Sequence, residues 1–88
     1  MDVVFEASFA RDLRRIREKQ LRQRAKDVIN EVKDASDISQ VRSLKKLQGW
    51  DTYYRIRLGD YRIGIEIVDE EVIFVRFLHR RDIYRRFP

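Results

Sequence analysis

The sequence predicts an α+β fold in which a helical hairpin covers one face of a four-stranded sheet. Two observations carry this. Apolar residues recur at helical spacing through the first third of the chain and then switch to a period of two from Tyr53 onward. A short apolar stretch, Val3-Val4-Phe5, precedes the helical part and supplies a further strand. The predicted order is therefore strand, two helices, then a three-stranded antiparallel meander. With 88 residues, 43% of them hydrophobic, the chain is expected to form a single domain over residues 1–88 with a small core.

Each element has its own local warrant. Ser8 is placed to cap a helix in which Phe9, Leu13 and Ile16 share one face. A short connection around Glu18–Gln20 leads to a second helix whose apolar face is Leu21, Ala25, Val28, Ile29 and Val32. Asp34 to Ser43 has no period and reads as a loop or a short irregular helix. Tyr54, Ile56 and Leu58 then alternate with Tyr53, Arg55 and Arg57, and Tyr61, Ile63, Ile65 and Ile67 with Arg62, Gly64 and Glu66. The two runs are separated only by Gly59-Asp60, the signature of a two-residue hairpin. Asp69-Glu70-Glu71 marks a second turn, Val72 to Leu78 a third strand, and Arg80 to Pro88 a basic tail.

Composition narrows the partners. Net charge is +5 and 40% of residues are charged, with an isoelectric point near 9.9. That balance suits nucleic acid, a ribosome or an acidic protein, although hydrated surface cations give the same totals. There is no cysteine and one histidine, which excludes disulfides, thiol nucleophiles and multi-histidine metal sites. No apolar run is long enough to span a membrane and the start is unlike a signal peptide, so the cytoplasm is the default expectation.

The hairpin register locates a candidate site. A two-residue turn sets Leu58 opposite Tyr61, Ile56 opposite Ile63 and Tyr54 opposite Ile65 on the buried side. Across the other face Arg57 lies opposite Arg62, Arg55 opposite Gly64 and Tyr53 opposite Glu66. Two facing arginines repel, and an anion between them removes the conflict, since guanidinium donors form a fork that fits phosphate. The alternative is that both extend into water, where repulsion costs only tenths of a kcal/mol. Alternation along the third strand places Ile73, Val75 and Phe77 inward, which adds Arg76 and Arg80 to the arginine face with only Glu66 against them. Gly64 is expected to leave room beside Arg55 for a ligand to approach the sheet.

His79 is the one side chain that titrates near neutral pH unaided, so it is a candidate acid or base. Alternation also continues it on the buried side, as a structural histidine. Tyr84 suits stacking on a base or bonding a phosphate, or else packing of the tail with Ile83 and Phe87. No nucleophile motif, glycine-rich phosphate loop or paired carboxylates are present.

Three segments then resemble the RelE/ParE toxin superfamily: Leu44-Lys45-Lys46-Leu47-Gln48-Gly49, Tyr54-Arg55-Ile56-Arg57-Leu58-Gly59-Asp60-Tyr61-Arg62-Ile63, and His79-Arg80-Arg81-Asp82-Ile83-Tyr84. With Phe9-Ala10-Arg11-Asp12-Leu13 upstream, the resemblance covers nearly the whole chain. It implies a toxin of a type II toxin–antitoxin pair, of the kind that cuts mRNA in the ribosomal A site by attack of a ribose 2′-hydroxyl on the adjacent phosphate. Such chemistry needs no metal or other cofactor. Arg62 matches the family's phosphate-binding arginine, Arg80 the arginine near the end of the last strand, and Tyr84 the tail tyrosine. Arg55 and Arg57 fall where well-studied members carry lysines, and arginine is a poor general base.

The residues expected to act in catalysis are thus Arg57, Arg62, His79, Arg80 and Tyr84, with Arg55, Arg76, Arg81, Lys45 and Lys46 binding RNA. Implied partners are the ribosome with its mRNA and a cognate acidic antitoxin lying along the helical hairpin or the sheet, with a toxin–antitoxin heterotetramer as one compatible assembly. The resemblance admits two other activities: gyrase inhibition of the ParE kind without nuclease chemistry, and a weakened relative that binds only its antitoxin and DNA.

Overall fold

The computed structural model describes residues 1–88. Strand β1 (Asp2–Phe5) is followed by helices α1 (Ala7–Arg14) and α2 (Lys19–Asp34), a single 3-10 turn at Ile38–Gln40, strands β2 (Leu44–Lys46), β3 (Tyr53–Leu58), β4 (Tyr61–Val68) and β5 (Glu71–His79), and helix α3 (Arg80–Arg86). The five strands form one sheet in the order β1-β5-β4-β3-β2. β1 runs parallel to β5, and the other neighbours are antiparallel. No helix is long and apolar enough to cross a membrane.

The architecture agrees with expectation in class and element order, with two additions. The sheet has five strands because Leu44–Lys46 pairs with β3. Three residues, two of them lysines, are too short to display alternation, and edge pairing rather than periodicity makes this a strand. The basic tail is the helix α3, which the sequence pattern had left without structure. Ser8 does not cap α1: Glu6 occupies that position, while the Ser8 hydroxyl donates to the Val75 carbonyl at 2.6 Å and ties α1 to β5.

The main core lies between the helices and one face of the sheet. Phe9 of α1 and Leu21, Ala25, Ile29 and Val32 of α2 pack on Ile56, Leu58, Ile63, Ile65, Val72, Phe74 and Phe77. Phe9 and Phe74 meet edge to face at 5.3 Å between ring centres, a favoured aromatic geometry. The hairpin side of this core is the set predicted from the Gly59-Asp60 turn.

β5 departs from simple alternation. Ile65 pairs with Phe74 but the adjacent Gly64 pairs with Arg76, so Val75 is an extra residue in a β-bulge. The bulge changes which residues point inward. Val72, Phe74 and Phe77 enter the main core, whereas Val75 packs in a second cluster. The expected inward set of Ile73, Val75 and Phe77 therefore holds only for Phe77.

That second cluster sits on the opposite face. Ile83 and Phe87 of the tail are buried with Leu47, against Tyr53, Val75 and Leu78. It docks α3 across the sheet beside the hairpin arginines.

Candidate functional site

β3 and β4 place the arginines as their register requires. Arg57 stands opposite Arg62 and Arg55 opposite Gly64. β2 adds a further cation, because Lys45 is the direct partner of Arg55. Like charges thus face one another at two successive strand pairs, which disfavours the bare sheet.

Main-chain oxygens, not acids, hold the guanidinium groups of Arg62 and Arg55 in place. Arg62 Nη1 donates to the carbonyls of Gly59 and Tyr61, both at 2.8 Å. Arg55 Nη1 donates to the Ser43 carbonyl at 3.1 Å. The Arg80 N–H donates to the Asp60 carbonyl at 2.7 Å, so the start of α3 is fastened to the same turn that Arg62 grips. Burial pushes the Arg62 guanidinium below the ordinary arginine range; the charges of Arg55, Arg57 and Arg80 act in the same direction, and Tyr84 opposes them. Arg62 thus lies within electrostatic reach of Arg55, Arg57, Arg80 and Tyr84. The one acid expected on this face, Glu66, accepts from the Thr52 hydroxyl at 3.0 Å.

Gly64 has a different role from the one its sequence suggests. A Cβ there would lie 2.8 Å from three ring carbons of Phe87. The space is filled by the tail, and no ligand approaches the sheet at that point. Phe87 meets Tyr53 edge to face at 5.5 Å. Ile83 and Phe87 anchor α3, leaving Tyr84 between them in sequence, 61% exposed.

Of the expected site residues, Arg76, His79 and Arg81 are not in the group. Arg76 forms a forked ion pair with Asp12 of α1, Nε to Oδ2 at 2.7 Å and Nη2 to Oδ1 at 3.2 Å, with Asp12 almost wholly buried. The same carboxylate accepts the Phe77 N–H at 3.0 Å. Arg76 thus fastens α1 to β5 just past the bulge. His79 stacks edge to face on Tyr61 at 5.5 Å, and its Nδ1 accepts the Arg81 N–H at 3.1 Å as the cap of α3. Tyr61 packs against the main core, so His79 lies on the helix-covered side, as the structural alternative had it. The Arg81 side chain is exposed beyond that cap.

Next to the arginines lies a groove of about 380 Å³, lined by Lys45, Lys46, Gln48, Trp50, Arg55, Tyr84 and Phe87 among others. Trp50 had no place in the sequence-based site. The available signal was the single tryptophan of the chain, following a glycine and four residues after Lys46.

Comparisons with known proteins bear on the family and the fold. The family model described as ParE toxin of type II toxin-antitoxin system, parDE, matches residues 3–84. The chain is 40% identical to Toxin RelE3 of Methanocaldococcus jannaschii, with 100% of both chains covered. Its structure matches the RelB-RelE antitoxin-toxin complex from Methanococcus jannaschii with a TM-score of 0.82 at 39% identity, covering 97% of this chain and 99% of that one. The intact Escherichia coli RelBE toxin-antitoxin complex shares the fold, with a TM-score of 0.70 at 21% identity over 89% of this chain and 94% of that one.

Proposed function

This chain belongs to the RelE/ParE superfamily of toxins of type II toxin–antitoxin systems, and from that premise we propose that it is a ribosome-dependent endoribonuclease that cleaves mRNA. The observation that carries the proposal is the grouping of Arg55, Arg57, Arg62 and Arg80 with Tyr84 around one unneutralised face. A ribose 2′-oxygen attacks the adjacent phosphorus and the bond from phosphorus to the 5′-oxygen breaks. The products are a 2′,3′-cyclic phosphate and a free 5′-hydroxyl.

The phosphorane carries extra negative charge, and fixed cations aimed at it lower the barrier. Arg62, pinned by two carbonyls, holds one equatorial oxygen, and Arg57 and Arg80 reach the others. None of these arginines is suited to take the 2′-proton, since guanidinium stays charged at neutral pH. Tyr84, exposed beside them, is the side chain in position to relay a proton or to fix the attacking nucleotide. His79 lies on the opposite face of the sheet and takes no part.

The partner proposed to silence this site is an acidic antitoxin segment, as RelB accompanies RelE in the archaeal complex. The matched family description is that of ParE, and gyrase is therefore the competing target. The test is cleavage of ribosome-bound mRNA in vitro by wild type, Arg62→Ala and Tyr84→Phe. The expected result is cleavage by wild type, with losses of about 10²–10³-fold for Arg62→Ala. No cleavage by wild type, together with gyrase-dependent DNA breaks, refutes the proposal.

A further inference from the structure

The groove beside the arginines is built around an aromatic ring that the catalytic proposal does not use. Trp50 follows a tight turn: its N–H donates to the Leu47 carbonyl at 3.3 Å, and Gly49 between them has φ 86°. A positive φ at the third residue is the requirement of a type II turn, which a side chain there would strain. The turn is fastened to β3 by the Leu47 N–H, which donates to the Tyr53 carbonyl at 2.9 Å. Trp50 nevertheless remains 50% exposed, its inner side resting on Tyr53 in an edge-to-face contact of 5.4 Å between ring centres. A large aromatic ring held beside a hydrogen-bonded turn and half open to solvent offers a face for stacking.

The surroundings fit one ligand chemistry. The groove contains Lys45, Lys46 and Arg55 and no acidic side chain, while Gln48 brings an amide and Tyr84 a second exposed ring. Arg55 Nε is buried with no partner. The volume of about 380 Å³ falls in the range of roughly 300–1,000 Å³ typical of small-ligand pockets. Cations tracking a backbone beside exposed aromatic rings are the features that recognise unpaired nucleotides. Arg55 and Tyr84 belong both to this groove and to the arginine group, so the two are continuous.

We infer that Trp50 is a nucleobase platform, stacking the base next to the scissile phosphate while Lys45 and Lys46 hold the following phosphate. This inference rests on the proposed RNA-cleaving role of the adjacent arginines and assigns the neighbouring subsite.

The chain contains one tryptophan, so its fluorescence reports this ring alone. The protein is titrated with a mixed-sequence hexaribonucleotide, 2′-O-methylated to prevent attack, and Trp50 emission is followed. Binding is measured separately by anisotropy of the same RNA carrying a 5′ label. Saturable quenching is expected, with Trp50→Ala weakening binding about 5- to 150-fold and Trp50→Phe restoring most of it. Inorganic tripolyphosphate should compete with RNA without quenching, and Arg62→Ala should weaken binding while leaving the quench at saturation intact. RNA that binds without quenching, or that binds Trp50→Ala as tightly as wild type, overturns the platform and leaves the arginine site standing. Quenching by a polyglutamate peptide but not by RNA overturns it in favour of a protein partner. Absence of RNA binding in every arm overturns the platform, while cleavage of ribosome-bound mRNA decides the nuclease reading separately.

Discussion

The docking of α3 depends on one missing side chain, and Gly64→Ala tests it. The new Cβ would lie 2.8 Å from Cγ, Cδ1 and Cδ2 of Phe87, against the roughly 3.5–4.0 Å at which carbon atoms rest. Two responses are open. Undocking the tail would expose Ile83 and Phe87, which are 0% and 3% exposed, at a cost of about 1.5–3 kcal/mol each. Keeping it docked in a shifted position costs the about 1–3 kcal/mol usual for overpacking. Shifting is the cheaper response. Alanine also restricts the unfolded chain more than glycine does, which returns about 0.4–1 kcal/mol.

The net expectation is a loss of about 1–2 kcal/mol, or a Tm lower by about 4–16 °C for a domain of this size. The displacement falls on Tyr84 and Arg80, so cleavage should drop further than stability, by up to about 10²-fold for a movement near 1 Å. Thermal unfolding followed by circular dichroism, with the ribosomal cleavage assay, provides both readouts. The decisive arm is the double variant with Phe87→Ala, which removes the ring. In that background Gly64→Ala should be neutral or stabilising, a coupling of at least about 1 kcal/mol. Equal costs of Gly64→Ala in both backgrounds would refute the packing argument.

Three further outcomes follow from the same geometry. Asp12→Ala leaves Arg76 and the Phe77 N–H without their acceptor, and should cost about 3 kcal/mol in urea unfolding, the low end for a broken buried pair because Arg76 keeps 19% of its side chain exposed. Arg57→Glu should raise Tm by up to a few degrees while abolishing cleavage. The sign follows from Arg62: a base whose pKa is lowered on folding is charged at a disadvantage in the native state at neutral pH, so removing a like charge and supplying an opposite one stabilises by about 0.2–1 kcal/mol. Finally, the affinity for single-stranded RNA should fall steeply with salt, and Arg62→Ala should reduce the slope of log affinity against log salt by about 0.7; an unchanged slope would place the phosphate elsewhere.

The sequence was most informative where one rule governs a whole segment. A two-residue turn at Gly59-Asp60 determines every pairing from Tyr53–Glu66 to Leu58–Tyr61, and all appear as expected. Prediction failed where a single extra residue alters the rule. The bulge at Val75 exchanges the inward and outward positions of β5, and nothing in Ile73-Phe74-Val75 announces it, since all three are apolar. The same step placed Arg76 among the site arginines, when its partner lies 64 positions earlier in α1. Asp12 stands between Phe9 and Leu13 on a buried helix face, and an acid there signals a buried cation to be found elsewhere in the fold. Gly64 misled for a related reason: an absent side chain marks a close approach without saying what approaches.

Two of the arginines proposed to act on phosphate, Arg55 and Arg62, are held by a different kind of oxygen from that which holds Arg76 and Arg85. Arg76 and Arg85 bond carboxylates, of Asp12 and Asp82, and each pair is close to neutral. Arg55 and Arg62 bond main-chain carbonyls of Ser43, Gly59 and Tyr61. A carbonyl dipole fixes a guanidinium group without cancelling its charge. The field of the group is therefore preserved for an anion, and the repulsion left behind is a stability cost that the rest of the fold must offset. Substituting a carboxylate for the carbonyl would make a sturdier hairpin and a poorer phosphate site. The hairpin turn thus sets the register and also supplies the acceptors that hold Arg62 in position while leaving its charge uncompensated.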